Sequence, residues 1–300
     1  MSDLPFGKEQ HFKKLQNHID KMPSLSTTVT KVLEVCNKPN TAPNDLNKVI
    51  SLDPVLTGQV LKLINSAYYS LPNHITSLTR AIIMLGINTV KNLALSTAIL
   101  GSFGRDDSSP ILPMDQFWTH SISVGVTAKT LAARKGVPAA NREEYFVGGL
   151  LHDLGKIPLS NCFPDEYSQV VELAALEQSP LRNAETVVLG FDHGVVGKLI
   201  AEKWKLNDNI TQTLCFHHEP SEAAQENRPL AYMVALANVY ANLYDFGSAG
   251  DPYPEGPATA FLLKALNISW KDMAAIRSTV SAEVEKAQIF LKVSQEAQGV

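Results

Sequence analysis

Apolar residues recur at three- and four-residue intervals along almost the whole chain, and stretches that alternate apolar and polar residues one by one are nearly absent. The first spacing stacks side chains on one face of a helix, whereas alternation would line one face of a strand. The pattern therefore predicts an all-α protein. Leu56, Val60, Leu63, Ile64 and Ala67 form one stripe, opened by Asp53 as a cap with proline at the first helical position and ending near Leu71-Pro72. Helices are predicted next from about Ser77 to Leu85 and, after a break at Gly86, from Ile87 to Leu100.

The segment GSFGRDDSSPILP, Gly101 to Pro113, is polar and rich in Gly, Ser and Pro, which suits a linker. Beyond it the periodicity predicts helices over Asp115 to Arg134, Arg142 to Leu154, Arg182 to Trp204, Asp208 to His218 and Pro229 to Tyr244. Six Gly or Pro among the eleven residues Gly247 to Pro257 exclude a helix there. Ser269 and Asp272 then form a capping box for one long C-terminal helix striped by Met273, Ile276, Val280, Val284 and Leu291. These breaks divide the chain into an N-terminal helical lobe over 1–110, a helical core carrying the candidate site over 111–246, and a loop with C-terminal helices over 247–300 that packs on the core.

With 300 residues, 45% of them hydrophobic, the chain can bury one large core or two smaller ones. A formal charge of −4 gives no field to gather nucleic acid, and the basic pairs Lys13-Lys14 and Arg134-Lys135 are too short to change that. Cys36, Cys162 and Cys215 are odd in number and widely spaced, so neither a disulfide framework nor a zinc knuckle is indicated. The N-terminus lacks the apolar core of a signal peptide, and the uncharged run Pro229 to Tyr244 falls short of the ~20 residues of a membrane span. The expectation is a cytoplasmic protein with no membrane or nucleic-acid partner.

Candidate chemistry lies in the second half: His120, His152-Asp153, His193 and His217-His218. His120 comes three residues after Phe117 and precedes Val124 by four, and so shares an apolar helix face. His193 sits between Leu189 and Val196 on a stripe continued by Ile200 and Trp204; Asn238 is in step with Ala231, Val234, Ala241 and Asp245. His152 lies one turn after Gly148, and Gly148-Gly149 would let a neighbouring backbone approach closely. One inward histidine per helix is ordinary packing. Five buried imidazoles with a carboxylate would each need a hydrogen-bond partner, since an unsatisfied buried polar group costs about 1–3 kcal/mol. A shared metal ion removes that difficulty.

These residues, in this order, resemble the HD superfamily of metal-dependent phosphohydrolases, and the His-His pair is similar to that of its HD-GYP cyclic-di-nucleotide phosphodiesterase branch. The blocks SLDPVLTGQVLKLINSAYYS, SLTRAIIMLGINTVKNLALS, GGLLHDLGKI, ETVVLGFDHGVVGKLIAEKW and FHHEP resemble the HDOD family, HD-related output domains of bacterial signalling proteins, over about Met22 to Tyr244. The resemblance implies an HD-type multi-helix core with an N-terminal helical lobe, in which Asp153 bridges two metal positions. One would be completed by His193, His217 and His218, the other by His120, His152 and a carboxylate whose place holds Asn238. A glutamate one turn before the first histidine is likewise replaced, by Gln116, and LSNCFPDEY stands where the GYP loop would lie. Lys156 matches the lysine that contacts substrate phosphate in active relatives.

Exchanging a carboxylate for an amide removes a full negative charge and leaves a weak carbonyl ligand. The Asn238 position is thus expected empty or loosely filled. Three imidazoles and one carboxylate suit Fe, Ni, Mn or Zn, so one ion at Asp153, His193, His217 and His218 is expected. Hydrolysis between two ions would then be slow or absent. The implied protein is a signalling module with a protein partner and room for a phosphate-bearing small ligand. The alternative is a working phosphodiesterase or nucleotide phosphohydrolase using Asp153 and Lys156; a third reading is a metal-free helical scaffold.

Overall fold

The computed structural model describes residues 6–36, 38, 40–103, 111–251, 253 and 256–296, and among these the chain forms helices and turns with no strand. The first part contains α1 (Phe6–Lys21), α2 (Thr27–Cys36), α3 (Pro43–Ile50), α4 (Pro54–Ile64), α5 (Leu78–Leu85) and α6 (Ile87–Phe103). The middle contains α7 (Met114–Arg134), α8 (Arg142–Leu151), α9 (Lys156–Cys162), α10 (Pro164–Glu177), α11 (Leu181–Val188), α12 (His193–Lys203), α13 (Asp208–Phe216) and α14 (Arg228–Leu243). The last part contains α15 (Gly256–Leu266), α16 (Trp270–Ala275), α17 (Arg277–Ala287) and α18 (Ile289–Glu296). The all-α expectation holds.

Local chemistry explains where helices start and stop. Asp53 caps α4 as expected, its Oδ1 accepting the Leu56 N–H at 2.9 Å. The helix ends at Ile64, however, well before Leu71-Pro72, and Ala67 is exposed. Asn65 ends it: its side chain donates to the carbonyls of Leu61 and Ile75 and accepts the Ile75 N–H, drawing the chain into a turn. The predicted Arg182 to Trp204 helix is two helices, because the Asp192 side chain accepts the Val195 N–H at 3.0 Å and starts α12 afresh. Helices α1, α2, α3, α9, α10 and α15 go beyond the predicted elements, and α15 starts at Gly256, inside the segment from Gly247 to Pro257 expected to be non-helical. The C-terminal capping box forms, yet the single long helix expected after it is three segments, broken at Ile276 and Gln288; Leu291 is only partly buried while Phe290 and Val293 are buried. The expected linker begins later than Gly101, since α6 continues to Phe103; residues 104–110 lie outside the described residues.

One apolar cluster runs from Leu15 to Val293. α7 is its axis, lying against α8, α14 and α17. The α7–α8 crossing is close because two glycines meet: a Cβ on Gly149 would stand 2.6 Å from the Gly125 backbone. α18 packs on α4 and α6, and α1 on α9 and α12. Lys129 ties these layers through an ion pair with Glu143 of α8 and a 3.1 Å hydrogen bond to Tyr68 Oη. No single helix among the described residues is long and apolar enough to cross a membrane; α5 and α6 reach that length only as a pair bent by 118°.

Candidate metal centre

Four helix ends and two helix interiors converge at the foot of α7. His120 projects from α7 and is buried; His152 terminates α8, with Asp153 in the turn behind it and Lys156 opening α9. That turn lies directly on the first residue of α12: a Cβ on Gly155 would stand 2.0 Å from the His193 carbonyl oxygen, so only glycine fits. His193 is the first residue of α12, His217 caps the end of α13 with His218 behind it, and Asn238 projects from α14.

Asp153 divides the site. Its Oδ1 lies 3.2 Å from His193 Nε2 and 3.6 Å from His217 Nε2. Its Oδ2 lies 3.1 Å from His152 Nε2, 3.8 Å from His120 Nε2 and 2.9 Å from Lys156 Nζ. His193 Nε2 is in turn 3.2 Å from His217 Nε2 and 2.9 Å from His218 Nε2. Two donor sets result, Asp153 with His193, His217 and His218, and Asp153 with His120 and His152, each with its ligand atoms within 4.8 Å of one another.

The far ring nitrogens show what those near ones are for. His152 Nδ1 stands 2.7 Å from the Gly149 carbonyl, His217 Nδ1 3.1 Å from the Leu214 carbonyl, and His193 Nδ1 2.6 Å from Glu185 Oε2. Each partner is an acceptor, so each Nδ1 carries a proton and each Nε2 faces inward. His193 Nε2 and His217 Nε2, 3.2 Å apart, can share a proton or, once both rings are neutral, a metal ion. Donors about 2.1 Å from a common ion are roughly 3.0–3.4 Å apart, so the spacing fits. His120 Nδ1, His152 Nε2, Asp153 Oδ1 and Asn238 Oδ1 are buried without a well-formed hydrogen bond, which also fits. This buried Asp/His cluster can hold a metal.

In the metal-free cluster the positive charge sits on His193 and Lys156. Burial opposes protonation of His193, but Glu185 and Asp153 overcome it and raise the ring to about 10. Burial pushes His217 down to about 4 and, with His152 beside it, His120 down to about 3. His218 falls well below the usual imidazole value through burial and its two histidine neighbours. Burial also works against the Asp153 carboxylate, yet His152 and Lys156 hold it well below the usual range. Lys156, fully buried, is held above its ordinary value against desolvation by Asp153, Asp251 and Glu185.

All six sequence-predicted ligands, His120, His152, Asp153, His193, His217 and His218, meet here, together with Lys156. Asn238 lies beside His120 and interacts with its ring. Gln116 does not enter: its side chain is exposed, and its carbonyl accepts the Ser248 N–H. Two carboxylates of the site escape the sequence reading. Glu185 is fully buried, and its position on the inward face of α11 with Leu181 and Ala184 is the available signal, since a charge on an apolar face requires a partner. Asp251 comes from the segment after α14, accepts the Leu181 N–H at 3.2 Å and is buried near Lys156; burial raises its pKa. With Tyr253 and Pro220 it borders a cavity of about 30 Å³ beside His217, His218 and Asn238, space for one or two waters.

Comparison with known proteins identifies the family and the fold. The HDOD domain family model matches residues 22–220. A curated relative from Treponema pallidum (strain Nichols), an uncharacterized protein, is 25% identical over 269 residues; the match covers 90% of this chain and 52% of the relative, so the chain spans about half its length. A crystal structure of an HDOD domain protein of unknown function from Geobacter sulfurreducens superposes with a TM-score of 0.73 at 26% identity, covering 94% of this chain and 98% of that one. A structure from Shewanella amazonensis SB2B, provisionally named a phosphohydrolase, has a TM-score of 0.70 at 23% identity over 93% of this chain and 98% of its own, a likeness of fold.

Proposed function

The chain belongs to the HDOD family, and from that premise we propose that it is a non-catalytic regulatory module that holds one divalent transition ion at Asp153, His193, His217 and His218 and passes the state of this pocket to a protein partner. The observation carrying this reading is the asymmetry about Asp153. On the Oδ1 side stand three imidazoles within ligand spacing. On the Oδ2 side stand two imidazoles, the Lys156 ammonium and the Asn238 amide, a poor seat for a second cation.

A bound divalent ion would supply Lewis acidity and a more acidic water. The chain's own groups do the rest. Asp153 supplies the anionic ligand, Gly149 and Leu214 carbonyls orient the rings of His152 and His217, and the walls leave little room for bulk water. Without a second cation to share the charge of a phosphoryl transition state, turnover is not expected.

A route outward exists along α12. It begins at His193 and ends at Lys203, whose Nζ donates to the carbonyls of Ile19, Asp20 and Met22; Trp204 Nε1 donates to the Pro23 carbonyl. A change at the pocket end of α12 would therefore bear on the junction after α1.

The second reading, a metal-dependent phosphodiesterase, is favoured by one observation: Lys156 is a buried ammonium at the pocket, able to neutralise a phosphate. Purified protein loaded with Mn²⁺ or Fe²⁺ and assayed for phosphodiester hydrolysis, with Asp153→Ala as control, separates the two. One ion per chain without turnover supports the regulatory module, and hydrolysis abolished by Asp153→Ala overturns it.

A further inference from the structure

The inner face of the cluster contains a carboxylate that neither metal ligand set includes. Glu185 is fully buried, and each of its oxygens is committed. Oε2 accepts the His193 ring Nδ1–H at 2.6 Å and also the His193 backbone N–H at 2.9 Å. Oε1 accepts the hydroxyl of Tyr167, itself buried in α10, at 3.0 Å. The carboxylate is therefore gripped from three directions and fixes both the ring and the main chain of the residue that opens α12.

We propose that Glu185 is the positioning residue of the metal centre: it fixes the His193 ring with Nε2 facing Asp153 and lends it negative charge, with Tyr167 holding the clamp in register. This assignment rests on the proposed metal reading. Three features distinguish it from structural capping of α12. The N-cap of α12 is already supplied by Asp192, whose side chain accepts the Val195 N–H, so the Glu185 bond to the His193 N–H is additional to the cap. A ring nitrogen that donates to a carboxylate, not to a carbonyl, makes its opposite nitrogen a stronger ligand. Of the three rings oriented through Nδ1, only that of His193 has an anionic partner; those of His152 and His217 have carbonyls. His193 is also the ring nearest the centre of its set, within 3.2 Å of Asp153 Oδ1, His217 Nε2 and His218 Nε2.

Charge balance supports the same assignment. Asp153, Glu185 and Asp251 are buried acids around a single buried ammonium, Lys156. Taken as carboxylates they leave two negative charges, which one divalent ion neutralises and two would overshoot. Glu185 thus favours a divalent ion without touching it.

The test is a Zn²⁺ titration in competition with a chromophoric chelator, run on the full chain, together with thermal unfolding in EDTA. Glu185→Gln keeps the shape and can still accept from His193 but removes the charge. It is expected to weaken Zn²⁺ binding by about 10- to 100-fold, while the metal-free protein stays helical and folds cooperatively. Tyr167→Phe removes only the hydroxyl that steadies Oε1, and is expected to weaken binding severalfold with the fold intact. Zn²⁺ affinity within threefold of wild type in folded Glu185→Gln overturns the inference and leaves the metal centre standing. If Glu185→Gln does not fold, wild-type affinity in Tyr167→Phe overturns it instead. A wild-type chain that takes up no Zn²⁺, Mn²⁺ or Fe²⁺ overturns the metal reading itself, and this inference with it.

Discussion

Lys156 Nζ stands 2.9 Å from Asp153 Oδ2, and both side chains are 1% exposed. Removing one member of a buried ion pair leaves the other charge without compensation, at a cost of about 3–5 kcal/mol. Here the loss would be felt twice, because Asp251 also faces Lys156. Lys156→Met is therefore expected to lower the unfolding free energy of the metal-free protein by about that amount, and a divalent ion at the same cluster should recover part of it by restoring positive charge. Urea unfolding with EDTA and with Zn²⁺ measures both. Undiminished stability in EDTA would mean that the pair is not a buried one in solution.

The metal-free protein should be most stable near pH 6.5 as far as this cluster is concerned. His217 and His120 are depressed in the fold, to about 4 and about 3, chiefly by burial. Above about pH 6.5 both are neutral folded or unfolded and add no slope. Below it the unfolded chain binds protons that the fold refuses, so stability falls by about 1.4 kcal/mol per pH unit per histidine until the folded values are reached. His193 acts oppositely: raised to about 10 by Glu185 and Asp153 in spite of burial, it contributes fully below about pH 6.5, and that contribution fades as pH rises toward 10. Urea midpoints in EDTA from pH 4 to 9 test this, and a midpoint unchanged between pH 6.5 and 5 would contradict it.

Two glycines beside the site should respond very differently to the same added methyl group. At Gly155 a Cβ would lie 2.0 Å from the His193 carbonyl and 2.8 Å from the Gly197 nitrogen, backbone atoms that cannot yield without moving α12. At Gly148 the nearest atom is Val234 Cγ2 at 3.3 Å, the end of a side chain. Gly155→Ala is expected to weaken Zn²⁺ binding at least tenfold and to lower the melting temperature, whereas Gly148→Ala changes affinity little. Equal behaviour of the two variants would show that the Asp153 turn does not rest on α12.

How far the sequence reveals the site depends on the range of each signal. Helical spacing is local, so it puts His120 on the buried face with Phe117 and Val124 and marks Asp53 as a cap. The same periodicity conceals the break before His193, because the stripe from Leu189 to Val196 continues in step across a turn that only the Asp192 cap ends. Periodicity therefore makes His193 a mid-helix residue, whereas it opens α12, where Glu185 can reach its main-chain N–H. Asp251 has no sequence signal: it lies among glycines and prolines, and its place beside Lys156 is set by how the segment after α14 folds back over the cluster. Gln116, a position singled out by motif resemblance as one where a ligand is replaced, is exposed and stands apart from the cluster.

The coupling of pocket to N-terminal helix gives the last prediction. Lys203 Nζ supplies positive charge to the final carbonyls of α1, where unpaired C=O groups and the negative end of the helix dipole gather. Because α12 has His193 at its other end, an ion that immobilises His193 should also steady the α1 terminus. Hydrogen exchange in wild type is then expected to slow on adding Zn²⁺ not only at residues 193–203 but also near residues 18–22. Lys203→Met should abolish the second effect and keep the first, since it leaves every ligand in place. Protection near residues 18–22 that survives Lys203→Met would mean that the connection runs through the Trp204 bond to Pro23 or through the packing of α1 on α9 and α12, and not through the Lys203 clamp.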